Sequence, residues 1–270
     1  MDAPIWYQGQ IYAASEIPEA SAILEGPGTL TTAQVRDGAV TLERYHVERL
    51  QRDTQRLERR PPDGLALLGM FRALAEAAFP ESKGIIRALA STRDAADVQL
   101  IGSTRPWPND PVTWTAETAP FPHRGPGKAS GAKLAHEPVW QRARKLANQN
   151  NQDEILLFDA QGLLVEGSRS NLIVATEAGH LLYPQEELGA VNGVALTVLK
   201  EAVSDLQPAN MTRETVQQAR EVIAVNAVRG PRSITHIDRS PIGTGQPGPV
   251  AKILHAAFEG RIQDEARSRT

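Results

Sequence analysis

The chain has 270 residues, 41% of them hydrophobic, and a formal net charge of −3. This size and composition are those of a globular protein with one large domain or two modest ones, and the nearly balanced charge argues against a nucleic-acid partner. The absence of cysteine excludes disulfides, thiolate catalysis and cysteine-ligated metal.

The sequence also lacks the patterns of a signal peptide, a membrane span and a metal site. The first residues show neither the basic segment nor the apolar segment of a signal peptide. No uncharged apolar stretch approaches the length of a membrane span, and the histidines show no metal-ligand spacing. We therefore interpret His46 and His136 as packing or surface residues. We expect a cytoplasmic protein that handles a small molecule, without a membrane partner and without a metal.

The first half of the chain is predicted to begin with hairpins, because short apolar runs flank turn residues such as Asp37-Gly38. Two helical patterns then end at prolines. The predicted elements are strands at 5–7, 11–13, 29–36, 39–42, 84–91, 96–103 and 112–117, and helices at 43–58 and 65–79.

Prolines and glycines crowd between Arg105 and Gly131, which marks a domain boundary. We predict a small N-terminal domain at 1–118, an interdomain linker at 119–131 and a larger C-terminal domain at 132–270. Neither half alternates regularly between strand and helix, so the predicted fold class is α+β. In the second half we expect helices at 137–148, 192–204 and 250–263, and strands at 155–158, 163–165, 172–174, 221–228 and 232–237.

Three charged residues are candidates for a site. Glu166 lies between two apolar strand-like runs, where a carboxylate needs a partner because burying it unpaired is expensive. Arg49 shares a helix face with apolar side chains, which suits either a snorkelling arginine or one that holds an anion. Lys133, taken alone, looks like a surface lysine. The run 189–195 opens a helix whose free N–H groups suit a phosphate, although such a glycine is more often only a turn.

Taken together, these pieces resemble the class IV aminotransferases, which are pyridoxal phosphate enzymes of fold type IV. The similarity runs from about Leu30 to Val250. Its ordered elements are the runs 30–35 (Leu-Thr-Thr-Ala-Gln-Val) and 46–50 (His-Val-Glu-Arg-Leu), then Lys133, then 166–171 (Glu-Gly-Ser-Arg-Ser-Asn). The resemblance implies a two-domain fold similar to that of D-amino acid aminotransferase, and a homodimer.

The resemblance also implies a role for each matching residue. Lys133 would carry pyridoxal 5'-phosphate covalently and later act as the base, Arg49 would hold the phosphate, and Glu166 would pair with the pyridine nitrogen. The other residues that it assigns to the cofactor are Ser170, Asn171, Val194, Ala195, Asn226 and Ala227.

Within the family, the run 30–35 resembles aminodeoxychorismate lyases, whereas transaminases tend to carry an aromatic residue followed by glutamate there. We therefore expect a lyase of folate biosynthesis that converts 4-amino-4-deoxychorismate to 4-aminobenzoate and pyruvate. Thr31 or Thr32 would orient the lysine or the leaving group. Arg105, Arg229 and Arg232 are candidates for the substrate carboxylates.

Two other functions stay open. One is a transaminase of branched-chain or D-amino acids, and the other is a relative that only binds and does not catalyse. The sequence departs from the family's usual pattern at Pro27, at Leu30 and at Ala195-Leu196, where a phosphate-binding hydroxyl is commonly found. The intact Lys133, Arg49 and Glu166 argue against a protein without catalytic function.

Overall fold

A computed structural model describes residues 3–93 and 98–268. The chain divides into two compact units. The first contains the described residues of Met1–Asn109, Ala132–His136 and Asp264–Thr270, and the second contains Asp110–Gly131 and Glu137–Gln263. The segment predicted as a linker thus belongs to the second unit, and Lys133 belongs to the first.

The first unit is a six-stranded antiparallel sheet with helices. Its strands are β1 (Pro4–Tyr7), β2 (Gln10–Ala13), β3 (Gly28–Arg36), β4 (Ala39–Val40), β5 (Lys83–Ser91) and β6 (Gln99–Pro106), and its helices are α1 (Ala20–Leu24), α2 (Glu43–Arg56) and α3 (Gly64–Ala78). The sheet order is β2-β1-β6-β5-β3-β4. Positions 96 and 97 of the predicted strand at 96–103 lie outside the described residues.

Strand β3 is buried on both faces, and its alternation decides what each face carries. Ala33 and Val35 join an apolar cluster with Leu50 of α2 and residues of α3. Leu30 joins a separate cluster on the other face, with α1 and strands β1, β5 and β6. Odd-numbered residues of β3 therefore face α2, and even-numbered residues face the opposite side.

The second unit contains a nine-stranded sheet that mixes parallel and antiparallel pairs. Its strands are β7 (Thr113–Thr118), β8 (Glu154–Phe158), β9 (Leu164–Gly167), β10 (Asn171–Ala175), β11 (Leu181–Pro184), β12 (Leu206–Ala209), β13 (Glu221–Asn226), β14 (Gly230–Ile237) and β15 (Ser240–Pro241). Its helices are α4 (Pro138–Gln149), α5 (Val194–Ala202), α6 (Arg213–Gln217) and α7 (Pro249–Arg267), the last of which belongs to this unit up to Gln263.

The α+β fold class is confirmed, since strands and helices mix without regular alternation in both units. Strand β7 nevertheless pairs in parallel with both β8 and β14, and β11 pairs in parallel with β12. Every residue of β8 and β10 is buried. A polar side chain in these strands must therefore find its partners inside the protein. None of the helices described is long and apolar enough to cross a membrane.

Gly28, at the start of β3, occupies a position that other residues cannot take without strain. Its φ is +151°, and a Cβ there would lie 2.2 Å from the carbonyl oxygen of Ala90. Gly69 in helix α3 has nothing within 4 Å of such a Cβ. The two glycines are thus a matched pair for testing the packing of β3 against β5.

We expect Gly28→Ala to lower the free energy of unfolding by about 2 kcal/mol, because the backbone must shift to admit the methyl group. Gly69→Ala should raise it by up to about 1 kcal/mol, since alanine is the better helix former. Urea unfolding of both variants and the wild type checks this. An unchanged midpoint for Gly28→Ala would show that β3 and β5 do not approach this closely.

Candidate active site

Lys133 lies on a short segment that extends the sheet of the first unit. The Leu30 N–H donates to the Lys133 carbonyl at 3.0 Å, and the Ala135 N–H donates to the Gly28 carbonyl at 2.8 Å. From the side of α2, the carboxylate of Asp53 accepts the Lys133 N–H at 2.9 Å. The backbone of the half-buried lysine is therefore held between strand β3 and helix α2.

Arg49 of α2 is a buried cation, and only some of its N–H donors have a hydrogen-bond acceptor among the described residues. Its Nη2 donates to the Leu30 carbonyl at 3.0 Å and to Thr31 Oγ1 at 2.9 Å, and the residue is 4% exposed. Burial lowers the pKa of Arg49 to about 10, and Asp53 opposes that shift. The guanidinium is still charged at neutral pH. Its Nε is buried without a hydrogen-bond partner in the described part of the chain.

His46, one helical turn before Arg49, is fully buried in the same cluster. Its Nδ1 lies 2.6 Å from Thr31 Oγ1. Burial, and then the positive charges of Arg49 and Lys133, hold the pKa of His46 well below its usual value, so the ring is neutral. Its Nε2 has no hydrogen-bond partner among residues 3–93 and 98–268. The sequence analysis interpreted His46 as a packing or surface residue. The spacing of a histidine along a helix does not show whether its buried neighbours are polar or apolar.

The two threonines predicted to act together lie on opposite faces of β3. Thr31 is fully buried and faces α2, where its hydroxyl contacts Arg49 and His46. Thr32 is half-buried and lies on the face that carries Leu30. The strand thus brings Thr31, and not Thr32, to the buried cluster.

Glu166 is the residue before the last in strand β9 of the second unit and is 3% exposed. Its Oε1 accepts the indole N–H of Trp140 at 2.8 Å, and its Oε2 accepts the backbone N–H of Val191 at 3.0 Å. His123 Nε2 lies 3.3 Å from the same Oε1. His123 Nδ1 accepts the N–H of Gly125 at 3.1 Å, so Nε2 is the ring nitrogen on the side of the carboxylate. The buried carboxylate predicted from the sequence therefore has its partners.

Glu154, a second carboxylate that the sequence analysis did not select, is fully buried at the start of β8. It accepts four hydrogen bonds: from the N–H groups of Ile155 and Ser168, and from the hydroxyls of Ser168 and Ser170. A Cβ on Gly167 would lie 2.7 Å from this carboxylate. Glu154 therefore holds the turn that follows Glu166. The hydroxyl of Ser170, which the resemblance assigned to the cofactor, serves this internal carboxylate.

Asn171, the first residue of β10, holds the segment that leads into α5. Asn171 donates from Nδ2 to the Val191 carbonyl at 2.8 Å, and a Cβ on Gly193 would lie 2.1 Å from Asn171 Oδ1. Helix α5 starts at Val194 without a side-chain cap. The N–H groups of its first turn, including that of Ala195, point away from the helix and can serve a ligand.

Asn226 and Ala227 form the turn between β13 and β14. Asn226 Oδ1 accepts the N–H groups of Val228 and Arg229, at 3.1 and 2.9 Å. The side chain of Asn226 thereby stabilises the turn itself. Its role at a cofactor, and that of Ala227, stay predictions.

The arginines proposed for substrate carboxylates have internal partners or lie exposed. Arg232 forms a bidentate salt bridge with Asp110, and Arg229 Nε lies 3.5 Å from the same carboxylate. Burial lowers the pKa of Arg229, and Asp110 opposes that shift. Arg105 lies exposed on β6 of the first unit. Asp110 thus already neutralises part of the charge that a substrate would meet.

Comparisons with known proteins identify the family of the chain. A family model described as amino-transferase class IV matches residues 28–237. A branched-chain-amino-acid aminotransferase of Pseudomonas aeruginosa is 28% identical over 126 residues, which are 44% of this chain and 40% of that protein. A D-alanine aminotransferase of Bacillus licheniformis is 29% identical over 117 residues, 42% of this chain and 40% of that protein. The chain spans less than half the length of these curated relatives.

Two solved structures have the same fold. A hypothetical aminotransferase from Mycobacterium tuberculosis, solved in a PLP-bound form, matches with a TM-score of 0.83 and 18% identity, over 97% of this chain and 100% of that chain. The branched-chain amino acid aminotransferase from Escherichia coli matches with the same TM-score and identity, over 97% and 95% of the two chains. At these identities the likeness concerns the fold alone.

The role of Glu154 can be tested by truncation. We expect Glu154→Ala to lower the free energy of unfolding by about 3 kcal/mol or more, because it leaves several buried donors without an acceptor. Glu187→Ala, at an exposed position, should change it by less than about 0.5 kcal/mol. Urea unfolding of the cofactor-free proteins measures both, and equal stabilities would contradict the assigned role of Glu154.

The neutral state of His46 predicts a specific pH dependence. Its pKa is lower in the folded than in the unfolded state, so the unfolded state takes up a proton first as the pH falls. The contribution of neutral His46 to the free energy of unfolding is thus fully present above about pH 6.5. It falls below that pH, by about 1.4 kcal/mol at pH 5.5. Relative to the wild type, His46→Asn should remove this loss, and the exposed His180→Asn should retain it. Identical pH profiles for wild type and His46→Asn would contradict the prediction.

Proposed function

Since the chain belongs to the class IV aminotransferases, we propose that it is a pyridoxal 5'-phosphate-dependent aminotransferase that moves an amino group between an amino acid and a 2-oxo acid. The observation that carries this proposal is the placement of Lys133 beside strand β3, on the segment that pairs with Gly28 and Leu30. There its backbone N–H is held by Asp53 of α2, and its positive charge contributes to lowering the pKa of the buried His46, one helical turn from Arg49. A lysine fixed beside a buried cation suits a cofactor that has both an aldehyde and a phosphate.

The residues of the first unit fit the phosphate end of the cofactor. Arg49 Nε and His46 Nε2 are buried nitrogens without hydrogen-bond partners in the described residues. Buried donors of this kind are costly unless a ligand with acceptor oxygens satisfies them. Arg49 would bind the phosphate through its planar fork. In the second unit taken by itself, the first-turn N–H groups of α5, at Val194 and Ala195, are the donors that the family resemblance assigns to a phosphate.

Glu166 fits the nitrogen of the pyridine ring. A carboxylate has about four lone-pair positions, and the two hydrogen bonds that Glu166 accepts, from Trp140 and Val191, leave positions open for a ligand. Glu154, by contrast, already accepts four hydrogen bonds. Of these two buried carboxylates, Glu166 is therefore the one that can pair with the ring nitrogen.

When bound, the cofactor supplies a ring that takes up the electron pair released at the amine-bearing carbon of the substrate. Lys133 would hold the cofactor covalently between turnovers. After the substrate displaces it, the same amine would move the proton at the substrate carbon. The hydrogen bonds of the Lys133 backbone to β3 and to Asp53 keep its Cα in place through both steps.

Branched-chain or D-amino acids are the substrates that we propose, because the curated relatives are branched-chain-amino-acid and D-alanine aminotransferases. The preference for a lyase that the sequence suggested finds no support in these names. It stays as a second candidate because of the run 30–35, with threonine where transaminases tend to carry glutamate. By family resemblance we also propose that the chain forms a homodimer.

The attachment of the cofactor to Lys133 predicts a spectroscopic result. Purified protein incubated with pyridoxal 5'-phosphate should show a visible absorption band that borohydride abolishes. Lys133→Ala should lose the band, whereas Lys128→Ala, at an exposed lysine nearby in sequence, should keep it. A borohydride-sensitive band of normal intensity in Lys133→Ala would place the attachment at another lysine. No band and no binding in the wild type would refute the proposed cofactor.

The reaction itself can be decided by two assays on the same protein. In the first, branched-chain and D-amino acids are incubated with 2-oxoglutarate or pyruvate, and the new amino acid is measured. In the second, 4-amino-4-deoxychorismate is supplied and pyruvate is measured by a coupled assay. We expect amino-group transfer in the first assay. Pyruvate release without amino-group transfer would establish the lyase in place of the aminotransferase.

A further inference from the structure

We propose that Thr31 is a positioning residue, whose hydroxyl, held by His46, fixes the guanidinium of Arg49 in the orientation that receives the cofactor phosphate. This inference rests on the proposed function, in which Arg49 binds that phosphate. It differs from the role expected from the sequence, in which Thr31 or Thr32 would orient the lysine or the leaving group. It assigns Thr31 an action through Arg49 and no contact with substrate.

Chemistry fixes the direction of the hydrogen bond between Arg49 and Thr31, and the tautomer of His46 fixes the direction of the other. A guanidinium only donates, so Thr31 Oγ1 accepts from Arg49 Nη2 at 2.9 Å. The hydroxyl keeps one proton to donate, and His46 Nδ1 lies 2.6 Å away. Because the buried His46 is neutral, this nitrogen can accept. With the ring proton on Nε2, the chain of hydrogen bonds runs from Arg49 through Thr31 to His46, and His46 determines which way the Thr31 hydroxyl turns.

The same contacts determine the orientation of the whole guanidinium. Nη2 carries two protons, and both have acceptors: the Leu30 carbonyl at 3.0 Å and Thr31 Oγ1. The guanidinium is planar and rigid, so fixing both protons of Nη2 also fixes the direction of the Nε–H. That Nε is the buried donor without a partner in the described residues. With the Thr31 hydroxyl removed, the Leu30 carbonyl alone would hold Nη2, and the fork could rotate.

Thr29 provides a matched control on the same strand. Like Thr31 it is fully buried and lies on the face of β3 towards α2. Its hydroxyl, however, pairs with the hydroxyl of Thr54 at 2.8 Å, and Thr54 Oγ1 also donates to the Leu50 carbonyl. Removing the Thr29 hydroxyl therefore disturbs the packing of β3 on α2 to a similar extent, without removing a contact of Arg49.

The experiment measures how strongly the cofactor-free protein distinguishes pyridoxal 5'-phosphate from pyridoxal, which lacks the phosphate. Dissociation constants for both are determined for the wild type, Thr31→Val, Thr31→Ser and Thr29→Val. We expect Thr31→Val to reduce the preference for the phosphorylated form on the order of tenfold, the usual effect of one hydrogen bond to a charged group. Thr31→Ser, which keeps the hydroxyl, and Thr29→Val should keep the wild-type preference.

The outcomes separate this inference from the proposed function. A wild-type preference in Thr31→Val, or an equal reduction in Thr29→Val, would overturn the positioning role and leave the cofactor assignment intact. Equal binding of both compounds by the wild type would remove the phosphate role of Arg49 and this inference with it, while binding of neither would refute the proposed function as well. Should Thr31→Val fail to fold, Thr31→Ala, which adds no bulk, is measured in its place against Thr31→Ser.

Discussion

The requirement that buried charged groups find hydrogen-bonding partners governs both units of this protein. In the first unit it applies to Arg49, which lies between the backbone of β3 and the hydroxyl of Thr31. In the second it applies to Glu166, which is enclosed by Trp140, His123 and the N–H of Val191. Each group is satisfied only in part, and the remaining capacity is what a ligand can use.

The two buried carboxylates of the second unit differ in how many hydrogen bonds they accept, and this difference separates a structural role from a candidate ligand-binding role. Glu154 accepts four hydrogen bonds and holds the turn that follows β9. Glu166, near the end of β9, accepts fewer and keeps capacity for a ligand. The serines of the motif belong to the first of these tasks, because the hydroxyls of Ser168 and Ser170 both bind Glu154. The motif thus combines a glutamate that keeps open acceptor positions with residues that support the turn after it.

Much of the fold could be predicted from the sequence, because periodicity and turn residues are local signals. The hairpin at Asp37-Gly38 and the helices α2 to α5 lie close to their predicted ranges. The short elements α1, α6, β11 and β12 were not predicted, since four or five residues carry too little pattern. The parallel pairing of β7 also escaped prediction, because it joins strands that are distant in the chain. The assignment of Ala132–His136 to the first unit has the same cause.

The sequence by itself determined the α+β class, the family and the three charged residues proposed to bind the cofactor, because their order along the chain is a one-dimensional property. Only the tertiary structure decided which groups surround them. It placed Thr31 and Thr32 on opposite faces of β3, joined Thr31 to His46 and Arg49, and gave Ser170 to Glu154. These outcomes depend on strand alternation and on contacts between residues far apart in sequence. Hydrogen-bond saturation is a property of three-dimensional neighbours, and spacing along the chain does not specify it.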